Sequence, residues 1–174
     1  MELNTVRMVA DFLKDGVNGV AALLATTPRD VGDPLPALTG GVADSTRDDW
    51  VARRHVSHDG GPALPAIAVF ANVITLDGEV HTVVRDGVLD VGIAYVAENS
   101  DTPAGNAAAL YVRRTILRSL NAFNSNAHEA DRTRNNIVIF ACEQLKLGRL
   151  EQDWGDVTIR DVVLATFHVR DLAP

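Results

Sequence analysis

The side chains of this 174-residue sequence with the most intrinsic chemistry are five histidines, one cysteine and a run of arginines. His55 and His58, with Asp59 beside them, carry a spacing at which two imidazoles could share a metal ion on one helical turn. Gly60-Gly61-Pro62 follows at once, which argues against a rigid helix, and no second cluster of ligating residues completes a four-ligand set. The pair therefore reads as part of a solvated loop, and no metal is expected. His81, His128 and His168 are scattered; His168, between Phe167 and Val169, reads as a hydrogen-bonded sheet residue rather than a general base. Ser57 or Cys142 could be paired with any of them on paper, but no G-x-S-x-G elbow supports a nucleophile. Cys142 follows Ile139-Phe140-Ala141 and reads as a small core residue with no disulfide partner. Asp86 and Asp90 look like hairpin chemistry around Asp86-Gly87, not a carboxylate dyad. Gly105, at a helix start, lacks the glycine spacing and the lysine of a phosphate-cradling loop. The sequence predicts no catalytic residue, no metal and no cofactor.

What remains is chemistry of contact. The net charge is −7 and is unevenly spread: residues 75–101 hold six acids and one base, residues 102–134 two acids and five bases. An acidic balance argues against a sequence-specific nucleic-acid reader, which needs concentrated Lys and Arg. It is compatible with a surface past which DNA slides. Arg113, Arg114 and Arg118 form the densest basic cluster, followed by Arg132 and Arg134. The bland reading is a solvated face neutralised by local acids. The functional reading is a head-to-tail oligomer interface in which Arg113, Arg114 and Arg118 meet the acidic strands of a neighbouring copy, Asp86 and Asp90 among them. Trp50 and Trp154 are the only tryptophans, both in Asp-rich loops, and either caps the core or anchors a partner.

The elements that must position these residues follow from pattern. Leu3, Val6, Ala10, Leu13, Val17, Val20 and Leu24 line one face of a first helix, with Gly16 and Gly19 marking a bend or a close backbone approach. From Pro28 to Pro65 prolines, glycine pairs and aspartates predict a long loop, with a short helical turn at Trp50. Strands are expected over Ala66–Leu76, Val80–Val84 and Val88–Ala97, joined by turns at Asp77-Gly78 and Asp86-Gly87 as a meander. Thr102-Pro103 is an N-cap followed by proline at the first helical position, and Ala109, Val112, Ile116, Leu120 and Phe123 form that helix's buried stripe. Ala127–Asn135 reads as a connector, and Asn136–Leu150 and Val157–Asp171 as an antiparallel hairpin. The expected fold class is α+β: one domain over 1–174, a mainly antiparallel sheet with two helices packed on one face and a long 28–65 excursion. No stretch reaches the length of a membrane span, the amino-terminal residues lack a signal peptide's basic start, and the single cysteine suits a reducing compartment, so synthesis in the cytoplasm is expected.

The first helix (Leu3–Leu24), the strand opening Ala66-Ile67-Ala68-Val69-Phe70, the capped helix Pro103–Phe123 and the closing hairpin Ile137–Val169 together resemble tail-terminator and related neck proteins of long-tailed bacteriophages. The resemblance implies a hexameric ring in the virion neck, which caps the tail tube, joins the tail to the head connector and lets DNA pass without specific binding. It supplies no catalytic residue. Two other readings stand beside it: another neck or tail adaptor, and a small cytoplasmic enzyme or ligand-binding domain built on His55, His58 and the long loop.

Overall fold

A computed structural model describes residues 1–30, 32, 35–53, 62–77, 85–98, 102–148 and 158–172. The chain runs α1 (Glu2–Leu13), α2 (Val20–Leu24), β1 (Gly41–Asp44), α3 (Asp49–Arg53), β2 (Ala66–Asp77), β3 (Arg85–Ala97), α4 (Pro103–Asn126), α5 (Glu129–Arg132), β4 (Thr133–Arg134), β5 (Ile137–Gly148) and β6 (Thr158–Asp171). The strands form one six-stranded sheet in the order β1-β2-β3-β6-β5-β4, antiparallel throughout except for the parallel pair β1 and β2. The fold is α+β with a curled, mainly antiparallel sheet.

One face of the sheet carries the main core. Leu89, Val91, Ile93 and Tyr95 of β3 alternate with Val163, Ala165, Phe167 and Val169 of β6 under α1 and α4, as the period of two requires. Phe12 of α1, Phe123 of α4 and Phe167 of β6 meet edge to face, with centroids 5.0 and 5.8 Å apart. The sheet curls around α1, which touches β1 and β2 toward one edge and β4 and β5 toward the other.

The single first helix expected from the sequence is broken. Asp15 accepts hydrogen bonds from the backbone N–H groups of Val17 (2.9 Å) and Asn18 (2.5 Å), offering the chain a local alternative to continuing the helix. Gly19 lies directly on the Asp15 backbone, where a Cβ would collide. The close approach allows α2 to restart and dock on α4, so the apolar stripe continues while the helix does not.

The 28–65 excursion also differs from a plain loop. It contains β1 and α3, the latter starting at Asp49 and carrying Trp50 as the sequence predicts. Val51, with half-buried Trp50, packs on the outer face of the sheet against Ala68, Phe70, Ala94, Val96 and Val162. The two long helices, α1 and α4, share the core face as expected, and the short α3 is added on the other.

The meander needs a correction. Asp86-Gly87 is no turn: both lie within β3, with Gly87 opposite Leu76 and Asp86 opposite Asp77 of β2. Val80–Val84 and Gly78 lie outside the described residues. The α4 expectation holds in detail: Thr102 Oγ1 accepts from Gly105 N at 3.0 Å, and the five stripe residues are all buried. The 127–135 connector instead contains α5 and β4, which turns back onto β5 through Asn135 and Asn136 at φ 47° and 64°. β5 and β6 are antiparallel neighbours, as expected.

Candidate functional site

The residues singled out for contact fall on two sides of this framework. Along β3, Asp86, Val88 and Asp90 alternate with the buried Leu89 and Val91, so they project from the outer face. Register places them opposite Arg170, His168 and Thr166 of β6. Arg170 grips Asp86 through both oxygens, Nε to Oδ1 at 2.6 Å and Nη2 to Oδ2 at 3.0 Å. The guanidinium holds the Asp86 carboxyl below the usual carboxylate range, and Arg170 is raised in return. Thr166 Oγ1 donates to Asp90 Oδ1 at 2.6 Å.

β5 completes this surface through two irregularities. Its register against β6 shifts between Ile139 and Ala141 and again between Cys142 and Gln144, leaving Phe140 and Glu143 without direct partners. Such bulges re-aim side chains. The Phe140 ring lies 4.9 Å from the Arg170 guanidinium and 5.3 Å from the His168 imidazole, and Glu143 Oε1 lies 3.4 Å from His168 Nδ1. The result is an open patch of sheet with one ion pair, Asp86–Arg170, and two further carboxylates, Asp90 and Glu143, set around Phe140, which is 40% exposed.

The basic cluster lies on the opposite side. α4 turns its buried stripe to the core, leaving Arg114 exposed and Arg113 and Arg118 half-buried along its outer flank. Arg118 donates to Thr27 Oγ1 at 2.9 Å, tying α2 to α4. The structure therefore does not bring Arg113, Arg114 and Arg118 to Asp86 and Asp90 within one chain. Trp50 packs on the outer face beside the open patch. Trp154, His55, His58 and His81 lie outside the described residues. His128 precedes α5, where its backbone N–H donates to Asp131 Oδ2 at 2.8 Å. Burial pushes the Cys142 thiol up to about 11, which disfavours the thiolate a nucleophile would need.

Three polar constructions escaped sequence reasoning. Arg132 donates to the α4 carbonyls of Phe123 (2.6 Å) and Asn124 (2.8 Å), to Ala127 (3.3 Å) and to the bulge carbonyl of Phe140, while its guanidinium lies 5.0 Å from the Phe123 ring. A cation at the carboxyl end of a helix satisfies carbonyls that have no partner further along the chain. Asn124 pairs with the Cys142 backbone in both directions, at 2.8 and 2.9 Å, serving β5 as a substitute strand. Asp11 of α1 takes Arg47, next to β1, at 2.8 and 2.9 Å and Arg134 of β4 at 2.8 Å, clasping the two ends of the curled sheet. These arginines lower its carboxyl to about 2 against a smaller opposing effect of burial. Buried Asp44 sits nearby, accepting from Thr46 N (3.0 Å) and Oγ1 (2.5 Å), with Arg47 Nε 3.5 Å from its second oxygen. Only a basic residue six positions beyond a helix end hints at such a cap in sequence; the clasp joins residues 123 positions apart.

No protein-family profile matches the chain, and no curated protein sequence matches it.

Proposed function

We propose that this chain is a structural virion protein, a ring-forming tail terminator that caps the tail tube and joins the tail to the head connector. The observation that carries the reading is the placement of two unlike surfaces on opposite sides of one sheet-and-helix framework: a basic helix flank outside α4 and an open sheet face where the carboxylates Asp86, Asp90 and Glu143 stand around one arginine, Arg170. A subunit with two different, complementary faces associates head to tail, and when the rotation between copies closes, the product is a ring. The titratable groups that come together are neutralised by one another, Asp11 by Arg47 and Arg134, Asp86 by Arg170, which suits a framework better than a reacting centre. A net charge of −7 per chain suits a ring through which DNA passes without its phosphates being held. In this reading the protein assembles in the host cytoplasm and works in the neck of the particle, with tail-tube protein on one side and a head-completion protein on the other.

The solution mass by light scattering over a concentration series, followed by negative-stain imaging, tests the ring. A closed species of about six copies supports it. A chain that stays monomeric and also fails to retain tail-tube protein in a pull-down overturns it.

A further inference from the structure

We infer that the open half of the outer sheet face is the docking surface for α4 of a second copy of this chain. This inference rests on the ring reading and assigns its interface.

Each side has an apolar element with no partner among the described residues, beside unlike charge. On α4, Asn106, Leu110, Arg114 and Asn121 form an outward stripe at helical spacing. Leu110 is 51% exposed although the helix behind it is fully packed, and Arg114, one turn on, pairs with no described residue. On the sheet, the apolar Val88 and Phe140 stand among Asp86, Asp90 and Glu143. Asp90 engages one oxygen with Thr166 and Glu143 one with His168; their second oxygens are bonded to no described residue.

The central part of the stripe, Leu110 to Arg114, spans about 6 Å and fits the sheet, and the fold holds a precedent. The stripe from Asn106 to Asn121 is about 22 Å long at 1.5 Å per residue. The three strands β3, β6 and β5 present a width of about 10 Å. A helix laid across them places Leu110 over Val88 and Phe140 with Arg114 within reach of Asp90 or Glu143. The adjoining half of the same face already takes a helix, α3, on Val96 and Val162 of the same strands. Because the stripe and the patch face opposite ways, neither can satisfy the other in one chain, and each docking leaves one of each free to continue. The charge pairing orients the contact, since the alternative of α4 on α4 would set Arg114 against its own copy.

The test is cross-linking between single added cysteines in the full chain, where buried Cys142 stays silent. Leu110→Cys chains are mixed with Val88→Cys chains, or with Ala141→Cys chains should Val88→Cys not fold, and treated with a short bis-maleimide. Covalent dimers are expected in the mixture, at least about tenfold more than in either variant alone, and Arg114→Glu in the helix partner should cut the yield about tenfold, the equivalent of one lost close charge contact. Asp90→Lys in the sheet partner should restore it. Equal linking of Leu110→Cys chains to themselves, or no linking in either mixture, overturns the docking. A closed ring without these links leaves the ring reading standing and removes this interface; links with a mass that grows without limit keep the interface and remove the ring.

Discussion

The outer face of the sheet divides into two halves along the same two strands, β3 and β6. In one half β3 contributes Gly92, Ala94 and Val96 and β6 Val162, all buried beneath α3 and Phe70. In the other it contributes Asp86, Val88 and Asp90 opposite Arg170, His168 and Thr166, all half-buried with no described element above them. Inward residues are apolar in both halves, so the difference lies wholly in the outward set. Small apolar residues mark where the chain covers itself. Paired charges around Val88 and Phe140 mark where it stays water-compatible while alone and remains able to take a cover.

The sharpest separation of the two halves is in stability. Phe70→Ala removes the ring that fills the covered half and should cost about 3–5 kcal/mol, read from urea midpoints. A loss below about 1 kcal/mol would mean that α3 and its neighbours are held no more tightly than the open patch, and the distinction would fail. Gly92→Val probes the same half by overfilling. Because a Cβ there runs into the Phe70 ring, a cost of about 1–3 kcal/mol is expected. Val88→Ala, four residues away on the open half, should cost less than either.

How far the sequence revealed this division follows from the range of the interactions involved. The covered half was legible only in part: the small second face of β3, Gly92 and Ala94, fits solvent or a neighbour as well as a cover, and the short helical turn expected at Trp50 is what lies on it. β1 was invisible because four residues, Gly41-Val42-Ala43-Asp44, sit among turn formers and gain strand geometry only by pairing with Ala66–Val69. Asp86-Gly87 carried a genuine local turn signal, overridden once Arg170 and the β2 register fixed it in extended form. The α4 cap and stripe were read correctly because both are local. Arg132, Asn124 and the Asp11 clasp were missed because each joins a side chain to groups whose nearness only the fold creates, among them carbonyls freed by a bulge.

Acid response separates a carboxylate held by two arginines, Asp11, from one held by a single arginine, Asp86. Asp11, held by two arginines at the sheet's two ends, has a carboxyl of about 2 in the folded chain against 3.8 ordinarily. A depressed folded value contributes stability that is fully present above the unfolded value and is lost as pH falls through the folded one. Stability should therefore decline between about pH 4 and pH 2, and Asp11→Asn should be less stable than the parent at neutral pH while losing less over that interval. Urea unfolding at pH 2.5 and 7 reads both; an unchanged slope in the variant would place the acid sensitivity elsewhere.

The smallest effect on stability, and the most informative for the open half, is expected from Arg170→Met. Exposed ion pairs contribute little to folding, so the urea midpoint should barely move. The Asp86 carboxyl, released from its guanidinium, should titrate closer to the ordinary carboxylate range, visible in its side-chain carbonyl resonance. Association should respond in the opposite sense to Arg114→Glu. Arg170 is the fixed positive charge on the acceptor patch and covers Phe140, so its loss makes the patch more acidic and more apolar at once. A basic helix stripe should then bind more tightly, most visibly at low salt, where charges at this spacing are least screened. If Arg170→Met instead weakens association, the Asp86–Arg170 pair belongs to the contact itself, and the open half is recognised as a rigid ladder rather than as an acidic field.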